Sequence, residues 1–232
     1  MEQTPIFIFD RDDNLRLVLE PKTYTAPETK ERPLVYINGV YVEELNGQET
    51  LEFEVPYTKK DDEVAWIEGD GRAVIRNQDG DLVEFIIREV HDENGEAGLV
   101  KRVFCEAAEY ELNDEWLTGY APGTPVTLRT ALGSLLQGTR FEPGEIMASE
   151  LRTVNLGPMS VKAGITELLV IFGGEKRTRV EVAGNRITRR YVDILSRRGT
   201  FTGKRFEYGK DIQSIKREID YSQVKTALYG FG

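Results

Sequence analysis

Cysteine and histidine are nearly absent from this chain of 232 residues, which has one of each. A single thiol, Cys105, excludes an intrachain disulfide and a thiolate metal cage. A single imidazole, His91, excludes any Cys-His or Ser-His-Asp arrangement not built on that residue. Both have ordinary readings. Cys105 lies at the end of an apolar strand pattern, Val103-Phe104-Cys105-Glu106, which suits a buried, inert thiol. His91 stands beside the turn signal Asp92-Glu93-Asn94-Gly95, which suits a solvated loop. Long apolar runs are missing too, and nothing approaches the roughly 20 residues of a membrane span. Ile6-Phe7-Ile8-Phe9 breaks at Asp10-Arg11-Asp12-Asp13 with no basic region before it, too short for the core of a secretion signal. The expectation is a chain made and folded in the cytoplasm. Trp66 and Trp116 each lack aromatic neighbours, which favours core or interface packing over a sugar-stacking platform.

What is present is the composition of a folded protein: 40% hydrophobic and 30% charged residues, with a formal net charge of -10. A chain of this length makes one large domain or two modest ones and buries roughly 70% of its extended surface. The charge is unevenly spread. Met1 to Ala108 holds 25 acidic and 12 basic residues, whereas Glu109 to Gly232 holds 15 acidic and 18 basic. Within the second part, Gly173 to Arg217 carries 13 basic against 5 acidic residues. A basic stretch suits nucleic acid, but these residues lie on alternating strand patterns with few aromatics between them. Contact with an acidic surface of a neighbouring subunit explains them as well.

The first half reads as antiparallel β-structure. Leu15 to Leu19 is a short apolar run. Leu34 to Ile37 and Val40 to Val42 flank Asn38-Gly39, the strongest short hairpin signal. Leu51, Phe53 and Val55 alternate with Glu52 and Glu54 up to Pro56, predicting a half-buried strand. Ala73-Val74-Ile75 turns through Gln78 to Asp81 into Leu82 to Ile87, and a third turn at Glu93 to Gly98 leads through Leu99 to Phe104. Strands at this spacing with no helical pattern predict a small barrel or sandwich. Pro21 to Pro33 is the longest irregular stretch.

The second half changes character near Ala107 to Asn113. Thr124-Pro125 predicts a helix opening, with Leu128, Ala131, Leu132, Leu135 and Leu136 at helical spacing and Gly138 as the stop. A second helix is expected from Ser160, with Ile165, Leu168, Leu169 and Phe172 on one face, ending at Gly173-Gly174. Thr178, Val180 and Val182 form an alternating strand, followed by a turn at Gly184-Asn185 and a strand from Ile187 to Leu195. Gly199 to Gly209 is turn-rich, and Asp211 to Tyr229 suits strand or helix, with strand favoured. The predicted domains are 1–108, a β-barrel; 109–203, with two helices and a sheet; and 204–232.

No motif for catalysis, cofactor or metal stands out. There is no P-loop, Gly-Xaa-Ser-Xaa-Gly elbow, EF-hand loop or His/Cys cluster. Gly69 and Gly71 are not followed by a helix, so a dinucleotide fingerprint is unsupported. Asp61-Asp62-Glu63, Glu43-Glu44 and Asp79/Asp81 could serve as glycosidase acid/base pairs. Solvated turns and charged edge strands explain them better in a chain with 40 acidic residues.

The order of segments in the second half is more telling. Helix one, Val126 to Leu136, is followed by Gly138-Thr139-Arg140-Phe141-Glu142-Pro143-Gly144, then Arg152-Thr153-Val154-Asn155-Leu156, then helix two ending Phe172-Gly173-Gly174-Glu175. The chain closes with Phe206 to Asp220 and Val224 to Gly232. This series resembles the prophage tail endopeptidase family, the tail-associated lysins of siphophages that infect Gram-positive bacteria. The resemblance implies an α+β, β-rich fold like the phage baseplate hub, with an N-terminal antiparallel β-barrel and a second α/β domain. It implies a homotrimer forming a pseudo-sixfold ring that contacts distal tail, tail tube and tape-measure proteins, with DNA passing through the lumen. It also implies that 204–232 returns to the first domain. Peptidoglycan cleavage in such proteins belongs to a region beyond Gly232, so the expectation is a non-catalytic hub piece of a virion tail tip, made in the bacterial host.

Opposite-signed halves suit head-to-tail contacts around a ring. The expectation is that the acidic first domain faces the neighbour's Gly173–Arg217 region, and that charge reversal at Arg189, Arg190, Arg197 and Arg198 weakens assembly. Short acidic strands such as Leu51 to Val55 are expected to be available for docking. Two other readings compete: a cell-wall hydrolase acting through carboxylates, and a glycan-binding module using Trp66 or Trp116.

Overall fold

Alternation of apolar and polar residues wraps the first part of the chain into a barrel. The computed structural model describes residues 4–22, 33–95, 98–199 and 203. Seven strands are β1 (Ile6–Phe9), β2 (Leu15–Pro21), β3 (Val35–Glu43), β4 (Glu49–Tyr57), β5 (Arg72–Arg76), β6 (Leu82–Gly95) and β7 (Gly98–Ala107). They close in the order β1-β2-β3-β4-β7-β6-β5. Neighbours are antiparallel except β2 and β3, whose parallel contact comprises two pairs, Glu20↔Val35 and Pro21↔Tyr36. Ile6, Ile8, Leu51, Phe53, Val55, Val83, Phe85, Ile87 and Cys105 point inward and are fully buried, as a period of two requires.

β6 departs from simple alternation. Val83, Glu84, Phe85, Ile86 and Ile87 are buried without a break, because the outward residues Glu84 and Ile86 are covered by the second part of the chain. A strand covered on both faces reads as a continuous apolar run, here interrupted by one carboxylate.

The covering layer begins with a 3-10 turn at Ala108–Asn113. It continues through β8 (Trp116–Leu117), α1 (Leu128–Leu135), β9 (Glu142–Ile146), β10 (Met159–Ser160), α2 (Val161–Phe172), β11 (Glu175–Ala183) and β12 (Arg186–Leu195). β11 and β12 form a hairpin, β9 joins β12 in parallel, and β8 pairs with β10. Ser160 caps α2 by accepting from the Ala163 N–H at 3.2 Å, and Gly173 ends it at φ +76°. α1 and α2 meet at Gly164, where a Cβ would stand 2.9 Å from side-chain carbons of both Leu117 and Leu135. Leu128, Ala131, Leu132, Leu135, Ile165, Leu168, Val192 and Ile194 make the second core, which Ile86 of β6 joins. A third, smaller core places Phe9 and Val74 on the barrel wall against Val180 and Ile187 of the hairpin. Met1–Arg198 is one compact unit. Among the described residues no helix is long and apolar enough to cross a membrane.

Three local expectations are corrected. Asn38-Gly39 is not a hairpin turn. β3 runs through it, with Asn38 at φ +53° and a register shift against β4 between Ile37 and Val40. The two residues form a bulge, which asks for the same positive φ as a tight turn. The turn itself comes at Glu44 to Gln48, closed by the Glu44 N–H donating to the Gln48 carbonyl, with Asn46 at φ +56°. The first helix opens not at Thr124-Pro125 but at Thr127, whose hydroxyl accepts from the Thr130 N–H. Val126 instead exchanges two backbone hydrogen bonds with Arg152, and this extended pairing holds the chain out of the helix. Finally, β4 is no docking edge: it lies between β3 and β7 and continues past Pro56 to Tyr57. The expectations for 204–232 and for most of Pro21 to Pro33 fall outside the described residues.

Candidate functional site: the charged junction of barrel and covering layer

The surface between the two layers is built from ion pairs, with most of the anions on the barrel and most of the cations on the covering layer. Arg190, in the middle of β12, forks onto Glu84 of β6 through Nε at 2.7 Å and Nη2 at 2.8 Å. It also reaches Asp13 through Nη1 at 3.1 Å. Glu84 and Arg190 are 3% and 5% exposed, so neither charge is solvated on its own. Arg72 of β5 stands 3.5 Å from Glu84 and 2.7 Å from Glu111, and Arg140 stands 3.6 Å from Glu84. Burial pushes the Glu84 carboxyl above its ordinary value, while Arg190, Arg72 and Arg140 pull it back. Burial works against the Arg190 charge as well, but Glu84 and Asp13 outweigh it and hold the guanidinium protonated.

A second knot centres on Asp193 of β12, which is fully buried. It accepts from Arg177 Nε and Nη2 at 2.9 and 2.7 Å, from Arg179 Nε at 2.8 Å and from the Glu145 N–H at 2.6 Å. Arg177 then extends Nη1 to Asp81 at the start of β6, at 2.9 Å. Gly144 carries no side chain where Asp193 enters; a Cβ there would collide with its carboxylate.

The third knot lies at the β3–β4 hairpin. Glu109, 4% exposed, is held by Lys162 of α2 at 3.1 Å and by Lys176 of β11. Desolvation opposes its charge, but the two lysines prevail and keep its carboxyl below the ordinary range. Arg198 pairs with Glu43 and, at 3.2 Å, with Asp79.

These contacts revise the reading of the charge asymmetry. In its described part, Gly173 to Gly199, the basic stretch meets the acidic barrel of its own chain: Arg190 with Glu84 and Asp13, Arg177 with Asp81, Arg198 with Glu43 and Asp79. Charge reversal at Arg190 or Arg198 therefore strikes the fold itself. Arg189 is exposed, beside Glu142 at 3.7 Å, and Arg197 is exposed, so only these two of the four named arginines face outward. Complementary sign is visible in a sequence, but whether the partner lies in the same chain is not.

The other singled-out residues scatter. Cys105 is fully buried, and burial pushes its thiol up. His91 is exposed but sits on β6 rather than in a loop, 3.4 Å from Glu89. Asp61 caps its own turn, accepting from the Thr58 N–H at 2.6 Å and hydroxyl at 2.9 Å. Glu43, Asp79 and Asp81 are the anions of the knots just described. Neither tryptophan is in the core. Trp66 is 40% exposed with the Arg16 guanidinium 4.5 Å from its ring centre, and Trp116 is 68% exposed. Glu84, Arg190 and Asp193 were not singled out as a set; a lone charge inside an otherwise apolar run, as in Val83-Glu84-Phe85, was the available signal. The carboxylates of the three knots are held in place by the arginines and lysines around them.

Comparison with known proteins follows the same division of the chain. Residues 17–107 match the family model for the prophage endopeptidase tail N-terminal domain. That span is the barrel from β2 to the end of β7. No curated protein is similar in sequence. Among solved structures, the prophage tail protein gp18 from Listeria monocytogenes EGD-e is similar in fold, with a TM-score of 0.58 and 15% identity. The likeness covers 90% of this chain and 56% of that protein, so this chain spans little more than half of its length. The fold thus extends over the covering layer as well as the barrel. The likeness to the prophage endopeptidase tail family thus rests on residues 17–107, the barrel of this chain.

Proposed function

We propose that the chain is a structural hub piece at the tip of a phage tail, assembling as a trimer around a lumen through which DNA passes. The observation that carries this reading is the welding of barrel and covering layer into one unit whose fold is like that of a phage tail protein over 90% of the chain. A tube adaptor has to transmit load between rings without its layers shearing. Ion pairs cross between the layers at Arg190–Glu84, Arg177–Asp81 and Arg198–Glu43, and the first is buried on both sides, so that displacing either partner would leave a charge without solvent. The distal tail protein, the tail tube and the tape-measure protein are the partners this position implies. Exposed apolar side chains at Val40, Val42, Leu45, Trp116, Leu151 and Val170 offer contacts for them. Cell-wall cleavage would then belong to a region of the family's proteins C-terminal to this one.

Light scattering on the chain, combined with negative-stain imaging, tests the reading. Three copies in a ring with a central opening are the expected result. A single copy at every concentration, with no ring, goes against the hub. Release of peptidoglycan fragments by the purified chain would overturn its non-catalytic role.

A further inference from the structure

Tyr41, on β3, aims its hydroxyl at two carboxylates at once. Its Oη lies 2.7 Å from Glu49 Oε1 and 2.9 Å from Glu43 Oε2. A phenol has one proton and can donate to only one of them. With both glutamates ionised, the other contact would set lone pairs against lone pairs. The geometry is satisfied when one glutamate keeps its own proton and donates to Oη, which in turn donates to the other. Glu43 has a cation of its own in Arg198. Glu49 has none within ion-pair distance among the described residues, since Lys176 beside it is engaged by Glu109. The proton therefore belongs on Glu49.

This chain of hydrogen bonds stands at the base of the β3–β4 hairpin, whose tip grips the covering layer. Asn46 Nδ2 donates to the Gly174 carbonyl at 3.2 Å, and its Oδ1 accepts from the Lys176 N–H at 2.6 Å. Glu43 adds the pair to Arg198. We propose that Glu49, Tyr41 and Glu43 form a proton-loaded latch: protonated Glu49 keeps the hairpin on the start of β11, and release of that proton to solvent loosens the grip. The groups facing Glu49 are Tyr41 and Glu43 from β3, Glu109 from the 3-10 turn and Lys176 from β11. Glu44 and Arg198 line the same polar cavity, of about 20 Å³. An ionised Glu49 adds a further negative charge to this small space and takes the Tyr41 proton away from Glu43.

Burial pushes the Glu49 carboxyl up to about 7, with Glu43 and Glu109 adding to the effect and Tyr41 and Lys176 opposing it. The latch therefore changes state across neutrality. Two measurements on the whole chain decide it. The first is a carbon-13 titration of glutamate carboxyls, with the Glu49 signal assigned by its loss in Glu49→Gln. A midpoint near 7 is expected; a midpoint in the ordinary range, about 4.3, overturns the latch. The second is amide exchange of residues 44–48, corrected for the intrinsic pH dependence. Exchange is expected to be at least about ten-fold faster at about pH 8.5 than at about pH 5.5. Glu49→Gln, which imitates the protonated side chain, is expected to stay slow at both. The same acceleration in wild type and Glu49→Gln, or none in wild type, overturns the proposal. Were Glu49→Gln not to fold, the wild-type titration would still decide, its high-midpoint signal being assigned through Glu49→Asp.

Discussion

Replacing Arg190 with methionine retains most of the side-chain volume and removes the guanidinium that bridges β12 to β6. Two hydrogen bonds to Glu84 and those to Asp13 are lost. Asp13 is 20% exposed at its side chain and can turn to water, whereas Glu84 at 1% cannot. Breaking a buried pair by removing one partner costs about 3–5 kcal/mol. Arg72 and Arg140 remain within 3.5 and 3.6 Å of Glu84 and share its charge, which places the expected loss at the lower end, about 3 kcal/mol. Against a total stability of about 5–15 kcal/mol this is a large fraction. With a urea slope of about 2 kcal/mol per molar, the unfolding midpoint falls by roughly 1.5 M. Glu84→Gln alone is expected to cost a similar amount, and the double variant about as much as either single one. The cycle then yields a coupling of about 2 kcal/mol or more. Single-variant losses that add to within about 0.5 kcal/mol would refute the pair as a joint between layers. So would a folded Arg190→Met of unchanged stability that failed only to assemble, since that would return Arg190 to a contact between subunits.

Other expectations follow from the same geometry. A carboxylate whose folded pKa is raised contributes stability that is complete in acid and disappears as pH climbs through that value. Glu49 should therefore cost the fold about 2 kcal/mol between about pH 5.5 and 8.5, and the difference between wild type and Glu49→Gln in urea melts isolates it. Asp10, Asp92 and Glu109, all depressed, act in the opposite sense and lose their contribution only as pH falls below the ordinary carboxylate range. Gly164→Ala should destabilise by about 1–2 kcal/mol despite the better helix propensity of alanine, because Leu117 and Leu135 occupy the space; a neutral or stabilising result in thermal melts would contradict the packing. Cys105 should not react with a disulfide reagent until the chain unfolds, and prompt labelling of the native protein would contradict its burial.

Where one face of a strand meets the core and the other meets solvent, as in Leu51 to Val55, alternation read correctly. The same holds for α2, where Ser160 and Gly173 mark both ends with local chemistry. The misreadings share a cause: one local signal serves two tertiary outcomes. Asn38-Gly39 provides positive φ equally to a turn and to a bulge, and only the partner strand decides. Thr124-Pro125 has the form of a helix opening, but the distant Arg152 claims the backbone of Val126. For Trp66 and Trp116 the sequence favours core or interface packing; both reach the surface, which removes the core alternative alone. The ion-pair knots were half legible: the sign of each region was plain, while the joining of Arg190 to Glu84 depends on two residues 106 positions apart.

β6 belongs to both interiors of the molecule, lining the barrel with Val83, Phe85 and Ile87 while giving Ile86 to the helical core and Glu84 to Arg190. The break after Ala107, which looks like a natural place to cut and paste, is therefore a poor one. A barrel transplanted without its cover would present Ile86 to water and leave Glu84 with Arg72 alone of its three arginines. A cover transplanted alone would lose its floor. Recombination among relatives is consequently expected to move the two layers as a single inherited block, with novelty entering at their outward surfaces.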